Sequence, residues 1–222
     1  MPRSIRIEHP DALYHVTSRG VQRAAIFVDD HDRQLLLRIL ARALTAFEAR
    51  LFAYCLMGNH YHFVLQTRHA NLSTLMQRVN SSYSQQFNYR HSRLGQVFGG
   101  RFKALHVDRD AYLLAVCRYV DLNPVRAGLT ATPGDWVWSS YRAHAGMDRP
   151  PCWLATTALL GILAGQPIRS DDQARQAQRT YADWVAIGHG VHLWKESLRH
   201  GHFLGDDAFV ERTISASGHV VA

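Results

Sequence analysis

The dipeptide Gly58-Asn59 constrains this chain more than any other feature. It separates two β-prone runs, Leu51 to Leu56 and His60 to Thr67, and a turn of this type between such runs is a hairpin signal. Side chains alternate faces along a strand, so His60 and His62 share one face of the second run while Tyr61 takes the other. Histidine is the commonest protein metal ligand and binds through a neutral ring nitrogen. Two imidazoles on one sheet face therefore make a ready pair of ligands. The spacing alone is weak: His200-Gly201-His202 repeats it, but around a glycine and without strand-like flanks.

Around the hairpin the pattern extends in both directions. Ala12 to Ser18 reads as a strand ended by Arg19-Gly20. Asp29 or Asp30 can cap a helix with apolar positions at Leu35, Leu36, Ile39, Leu40, Ala43, Leu44 and Phe47. Leu72, Leu75, Met76, Val79, Tyr83 and Phe87 define a second amphipathic helix. Val97 to Val107 reads as a fourth strand, or a hairpin bent at Gly99-Gly100, and Asp110 opens a third helix through Leu113, Leu114, Cys117 and Val120. The first six elements run strand, helix, strand, strand, helix, strand. That is the βαββαβ order of ferredoxin-like α+β folds, an antiparallel sheet against two helices. Thr132-Pro133-Gly134-Asp135 breaks the pattern. Beyond it Trp136, Trp138 and Tyr141 announce a short helix packed back on the core, and 153–164 and 171–187 read as helices. The expected organisation is a catalytic domain over 1–130 and a helical C-terminal extension over 131–222.

Charge is unevenly spread. Residues 1–130 hold 17 Lys and Arg against 9 Asp and Glu, whereas 131–222 hold 8 against 9. From Ala49 to Val107 there is no acidic residue, yet the stretch carries Arg50, Arg68, Arg78, Arg90, Arg93, Arg101 and Lys103. Such a surface attracts polyanions. Three scattered cysteines (Cys55, Cys117 and Cys152) fit reduced thiols and no disulfide framework. The N-terminus lacks the apolar core of a signal peptide, and the longest apolar stretch, Leu154 to Gly165, is too short to span a bilayer. The expectation is a soluble, cytoplasmic, nucleoid-associated protein with no membrane partner.

A second set of residues supplies chemistry. Tyr119 and Asn123 lie four apart on the third helix, and Asn123 precedes Pro124, so the helix bends or ends there. A phosphodiester repels nucleophiles. A divalent cation on His60 and His62 would bind a non-bridging oxygen, the carbonyl oxygen of Asn123 could complete the ligand set, and a tyrosine in line with the leaving oxygen could attack. A tyrosine hydroxyl ordinarily ionises near pH ~10, so a neighbouring cation or base is required. The product, a phosphotyrosine, stores the bond energy for rejoining, consistent with a chain that carries no Gly-rich phosphate loop with lysine.

The joint set His60-Tyr61-His62 and Tyr119 with Asn123-Pro124-Val125-Arg126-Ala127-Gly128 resembles the HUH single-tyrosine transposases, and more narrowly the REP-associated tyrosine transposases of bacteria. The segments 56–62, 97–104 and Trp138-Ser139-Ser140-Tyr141 are also similar to that group. The likeness spans roughly residues 10–145. It implies a ferredoxin-like catalytic domain that nicks single-stranded DNA beside hairpins, a 5′-phosphotyrosine on Tyr119, and Mg²⁺ or Mn²⁺ at His60 and His62. Relatives often carry Gln where this chain has the shorter Asn123. Two imidazoles suit Mn²⁺ better than hard Mg²⁺. DNA contact would fall to Arg19, Arg23, Arg90, Arg93, Arg101, Lys103 and Arg126, with Tyr83, Tyr89 and Phe98 as possible stacking platforms unless they are core. Two other readings stay open: a two-histidine metal hydrolase that activates water with Tyr119 as bystander, and a non-catalytic nucleic-acid-binding regulator. The chain would act as a monomer, or as a homodimer that exchanges its Tyr119 helices.

Overall fold

A computed structural model of the chain describes residues 7–188, 198–199 and 202–217. His200 and Gly201 lie outside the described residues. The first elements are β1 (Leu13–Arg19), α1 (Asp30–Ala46), β2 (Ala49–Leu56), β3 (His60–Thr67), α2 (Leu72–Arg90), β4 (Lys103–Val107) and α3 (Arg109–Asp121). They form the expected ferredoxin-like unit. The sheet runs β2-β3-β1-β4 and then continues with two short strands from the extension.

Both strand neighbours of β1 are antiparallel to it, with Thr17 opposite His62 and Lys103, and His15 opposite Val64 and Leu105. This register sorts the side chains between two cores. On one face Tyr14, Val16, Tyr61, Phe63 and Leu65 pack under α1 and α2. On the other, Leu13, Cys55, Val64 and Val107 pack under α3. Each buried large side chain contributes roughly 1.5–3 kcal/mol relative to exposure. The helix starts are capped from the sequence: Asp29 accepts from the backbone of Asp32 in α1, and Asp108, two residues before Asp110, accepts from the backbone of Asp110 and Ala111 in α3.

The fourth strand is shorter than the expected 97–107. Gly100 adopts φ +147°, which interrupts extended pairing. Val97 and Phe98 instead lie beside the end of β1, where the backbones of Gly20 and Phe98 form a single antiparallel bridge and Gly99 N–H donates to Arg19 O.

After the short α4 (Asn123–Arg126), the extension comprises α5 (Tyr141–His144), α6 (Thr156–Ala164), α7 (Asp171–Ala186), β5 (Leu198–Arg199), β6 (Phe203–Leu204) and α8 (Asp207–Ser217). It is not purely helical. β6 pairs parallel to β4, and β5 pairs antiparallel to β6. At the opposite edge, Leu56 N–H donates to Trp138 O, Ser140 N–H to Tyr54 O and Ala155 N–H to Leu51 O. Leu154 makes a single parallel bridge with Leu51 after a turn at Trp153, so the helix expected from Trp153 starts at Thr156. Trp136 docks by donating its indole N–H to Leu56 O. Among the described residues no helix is long and apolar enough to cross a membrane, and the three cysteines are free.

Candidate active site

The end of the β1–β3 pair, on the α3 face, gathers His15, His60, His62 and Tyr119. His60 and His62 lie on one face as strand alternation requires, with ring centroids 5.0 Å apart. α3 crosses this face and brings the Tyr119 ring to 6.2 Å from His62 and 5.9 Å from His15, edge-on to both. The nucleophile candidate and the imidazole pair therefore meet within one chain.

His60 and His62 each have Nδ1 engaged. His60 Nδ1 donates to Asn59 Oδ1 at 2.7 Å, and Asn59 is itself fixed by donating its amide to Arg23 O. An amide oxygen only accepts, so His60 carries its proton on Nδ1 and keeps a lone pair on Nε2. His62 Nδ1 meets His15 Nε2 at 2.9 Å. His62 Nε2 is buried with no hydrogen-bond partner. Burial lowers the pKa of all three rings, His15 and His60 to about 4, and the Arg19 charge adds to the effect at His60. The rings are neutral at pH 7, the form that ligates.

These features fit a cation. A buried, unpartnered imidazole nitrogen beside a second open one is a donor pair lacking its acceptor. The three imidazoles do not converge, because His15 spends its nitrogen on His62. Among the described residues no three His, Cys, Asp or Glu side chains are arranged to hold a metal. A third protein ligand would have to be an oxygen from a neutral group, such as an amide.

Asn123 shows how it is held. Pro124 has no N–H to offer Val120 O, and the Asn123 side-chain amide donates there at 3.3 Å and to Tyr119 O at 3.0 Å. The helix thus passes the proline with only a break at Leu122, α4 resuming at Asn123. The amide nitrogen is committed to the backbone, so of this side chain only Oδ1 could ligate. Arg126 reaches back over this turn: its guanidinium lies 4.8 Å above the Tyr119 ring centroid and donates to Tyr119 O.

The other basic residues divide. Arg19 ends β1 opposite His60, and Lys103 opens β4 opposite Thr17, both exposed at the rim. Arg23 and Arg101 are exposed in the adjoining turns. Arg93 is exposed with its guanidinium 5.5 Å from the Phe87 ring centroid. Arg90 has another partner: it donates to Asp29 at 2.5 Å and to the fully buried Asp32 at 2.6 Å. Of the aromatic platforms, Tyr83 and Phe98 are core, Tyr83 donating its hydroxyl to Ile26 O. Tyr89 is 90% exposed and remains open to stacking. His15 was not singled out in the sequence. Its strand was, but the face it takes depends on the register with β3, which spacing does not reveal.

The sequence profile of the family described as Transposase IS200 like matches residues 9–123, just over half of the chain. The chain belongs to this family. It is thus a transposase, a DNA strand-transferring enzyme, and the match ends at Asn123, taking in every residue of the cluster. The fold of this transposase is shared with a REP-associated tyrosine transposase solved bound to a REP hairpin, at a TM-score of 0.56 and 16% identity over 70% of this chain and 92% of that one. A putative transposase from Deinococcus radiodurans R1 also aligns, at a TM-score of 0.38 and 16% identity over 54% of this chain and 96% of its own. No curated protein sequence matches significantly.

Proposed function

We propose that this transposase nicks and rejoins single-stranded DNA beside hairpins, with Tyr119 as nucleophile. The observation that carries the reading is the Tyr119 ring 6.2 Å from His62 in the same chain. The phenolic oxygen attacks phosphorus, the P–O3′ bond breaks, and the departing 3′ oxygen takes up the proton the phenol gives away. A 5′-phosphotyrosine replaces a phosphodiester, so rejoining by the reverse attack needs no nucleotide cofactor. Arg126 sets a positive charge over the ring whose oxygen becomes the attacking anion. His60, His62 and Asn123 Oδ1 would hold Mg²⁺ or Mn²⁺, which supplies charge neutralisation at a non-bridging oxygen.

Hairpin DNA as substrate is supported by the basic rim of Arg19, Arg23, Arg101 and Lys103 and by the REP hairpin bound to the structural relative. The test is incubation with single-stranded hairpin DNA labelled at its 3′ end and Mn²⁺, followed by a denaturing gel. Label travelling with the protein, lost in Tyr119→Phe and on chelation, is the expected result. Cleavage without adduct that persists in Tyr119→Phe would instead mean water-activated hydrolysis. Binding with no cleavage would mean a regulator.

A further inference from the structure

The ring of His15 is buried against both His62 and Tyr119, the two residues on which the proposed reaction depends. Its Nε2 lies 2.9 Å from His62 Nδ1, and the two ring planes are within 5° of parallel. Near-parallel planes suit a hydrogen bond along the in-plane lone pair of one ring. The reach is diagonal across the strand pair, since Thr17, not His15, stands opposite His62 in the register. The Tyr119 ring closes the other side, edge-on to His15 at 5.9 Å.

A neutral imidazole carries one N–H. The proton between His15 and His62 can therefore belong to either ring, with opposite consequences. If His15 Nε2 donates, His62 carries its hydrogen on Nε2 and presents no lone pair there. If His62 Nδ1 donates, its Nε2 is open. At His60 the question is already decided, because Asn59 Oδ1 can only accept. We infer that His15 is the positioning residue that does for His62 what Asn59 does for His60: it accepts the Nδ1 proton and fixes the ring with Nε2 open, the tautomer a cation requires. The inference rests on the metal-dependent reading given under Proposed function.

The chemistry also explains why an imidazole stands here. Ligating histidines usually give their second N–H to a carboxylate or a backbone carbonyl. A carboxylate beside His62 would set a negative charge where a polyanion must approach. A buried neutral imidazole accepts the same hydrogen without that repulsion.

The test uses Mn²⁺ alone, titrated by electron paramagnetic resonance into the full chain and into His60→Ala, His62→Ala, His15→Phe and His15→Gln. Outer-shell partners typically govern metal affinity by about 10–100-fold. His15→Phe is expected to weaken Mn²⁺ binding at least about tenfold. His15→Gln, whose amide oxygen can accept the same hydrogen, is expected to recover most of that loss, and both variants should bind hairpin DNA without metal as the parent does. Nitrogen-15 spectra of the parent should show His62 protonated at Nδ1, a signature lost in His15→Phe. If His62→Ala loses Mn²⁺ while His15→Phe binds it as the parent does, or if parent His62 is protonated at Nε2, the inference fails and the metal reading stands. If His60→Ala and His62→Ala both bind Mn²⁺ like the parent, the metal reading fails and takes the role of His15 with it. A His15→Phe chain that has lost hairpin binding and is not rescued by His15→Gln points to packing alone and also overturns the proposal.

Discussion

Single residues in this transposase separate by who their partners are. Burial works against the Asp32 carboxylate, but His91, the Val28 N–H and Arg90 together hold it below its usual range. Arg90→Ala should therefore lower stability in urea denaturation while leaving hairpin affinity nearly unchanged. Arg19→Ala or Lys103→Ala should do the reverse, weakening binding and lowering the salt slope by about one. Their charge was visible in the sequence. What was not visible is that Asp32 sits within reach of Arg90, because only the packing of α1 beside α2 joins them. His144 offers a pH test. It is fully buried, donates Nε2–H to Phe52 O, and has its pKa lowered to about 4 by burial. Between pH 4 and about 6.5 the unfolded chain takes up a proton that the folded chain refuses, so stability is lost as pH falls through that window, by up to about 3 kcal/mol. Asp121, held up near 7 by burial, acts in the opposite sense over a similar range. Comparison of the parent with His144→Gln at pH 4.5 and 7 isolates the histidine: the variant should lose less stability on acidification.

At the level of elements, the placement of α3 decides whether Tyr119 meets the histidines. Its start is fixed by Asp108, and its end by Asp121, which accepts from Ser140 Oγ at 2.6 Å and from the Tyr181 hydroxyl at 2.7 Å. Arg118 stacks over the Trp184 ring at 4.2 Å. The extension thereby grips the helix that carries Tyr119. Tyr181→Phe leaves one oxygen of a fully buried carboxyl unsatisfied and should cost about 1–3 kcal/mol, measured by urea denaturation. Adduct formation should slow with hairpin affinity unchanged, read from single-turnover rates. The helices themselves were legible, since their apolar spacing and caps are local. The clamp was not: Asp121 looks like one more exposed helical acid until α7, sixty residues on, supplies its partner. The hairpin gave away His60 and His62 for the same local reason, while His15 depended on long-range register.

For the whole molecule, the proposed reading makes the enzyme self-sufficient, because Tyr119 meets His62 inside one chain with no exchange of helices between copies. Mixing Tyr119→Phe with His62→Ala should restore no covalent adduct on a denaturing gel. Recovery toward parental levels would mean that the nucleophile is donated to a partner. The ferredoxin-like order and the basic first half were open to inspection in the sequence. The use of the last ninety residues was not, because β5 and β6 are two residues each and carry no periodicity to detect.

Those short strands, with the bonds from 138, 140 and 155 to β2, have a consequence for how copies of the protein can meet. The chain's own later segments take backbone bonds at Leu51, Tyr54 and Leu56 along β2 and lay β6, then β5, beyond β4. An open margin invites a neighbour to add on as another strand, the route to fibrils and swapped assemblies. Here β6 covers the β4 edge and later backbone occupies three positions along β2, so less of the sheet's border is left for a neighbouring copy to extend.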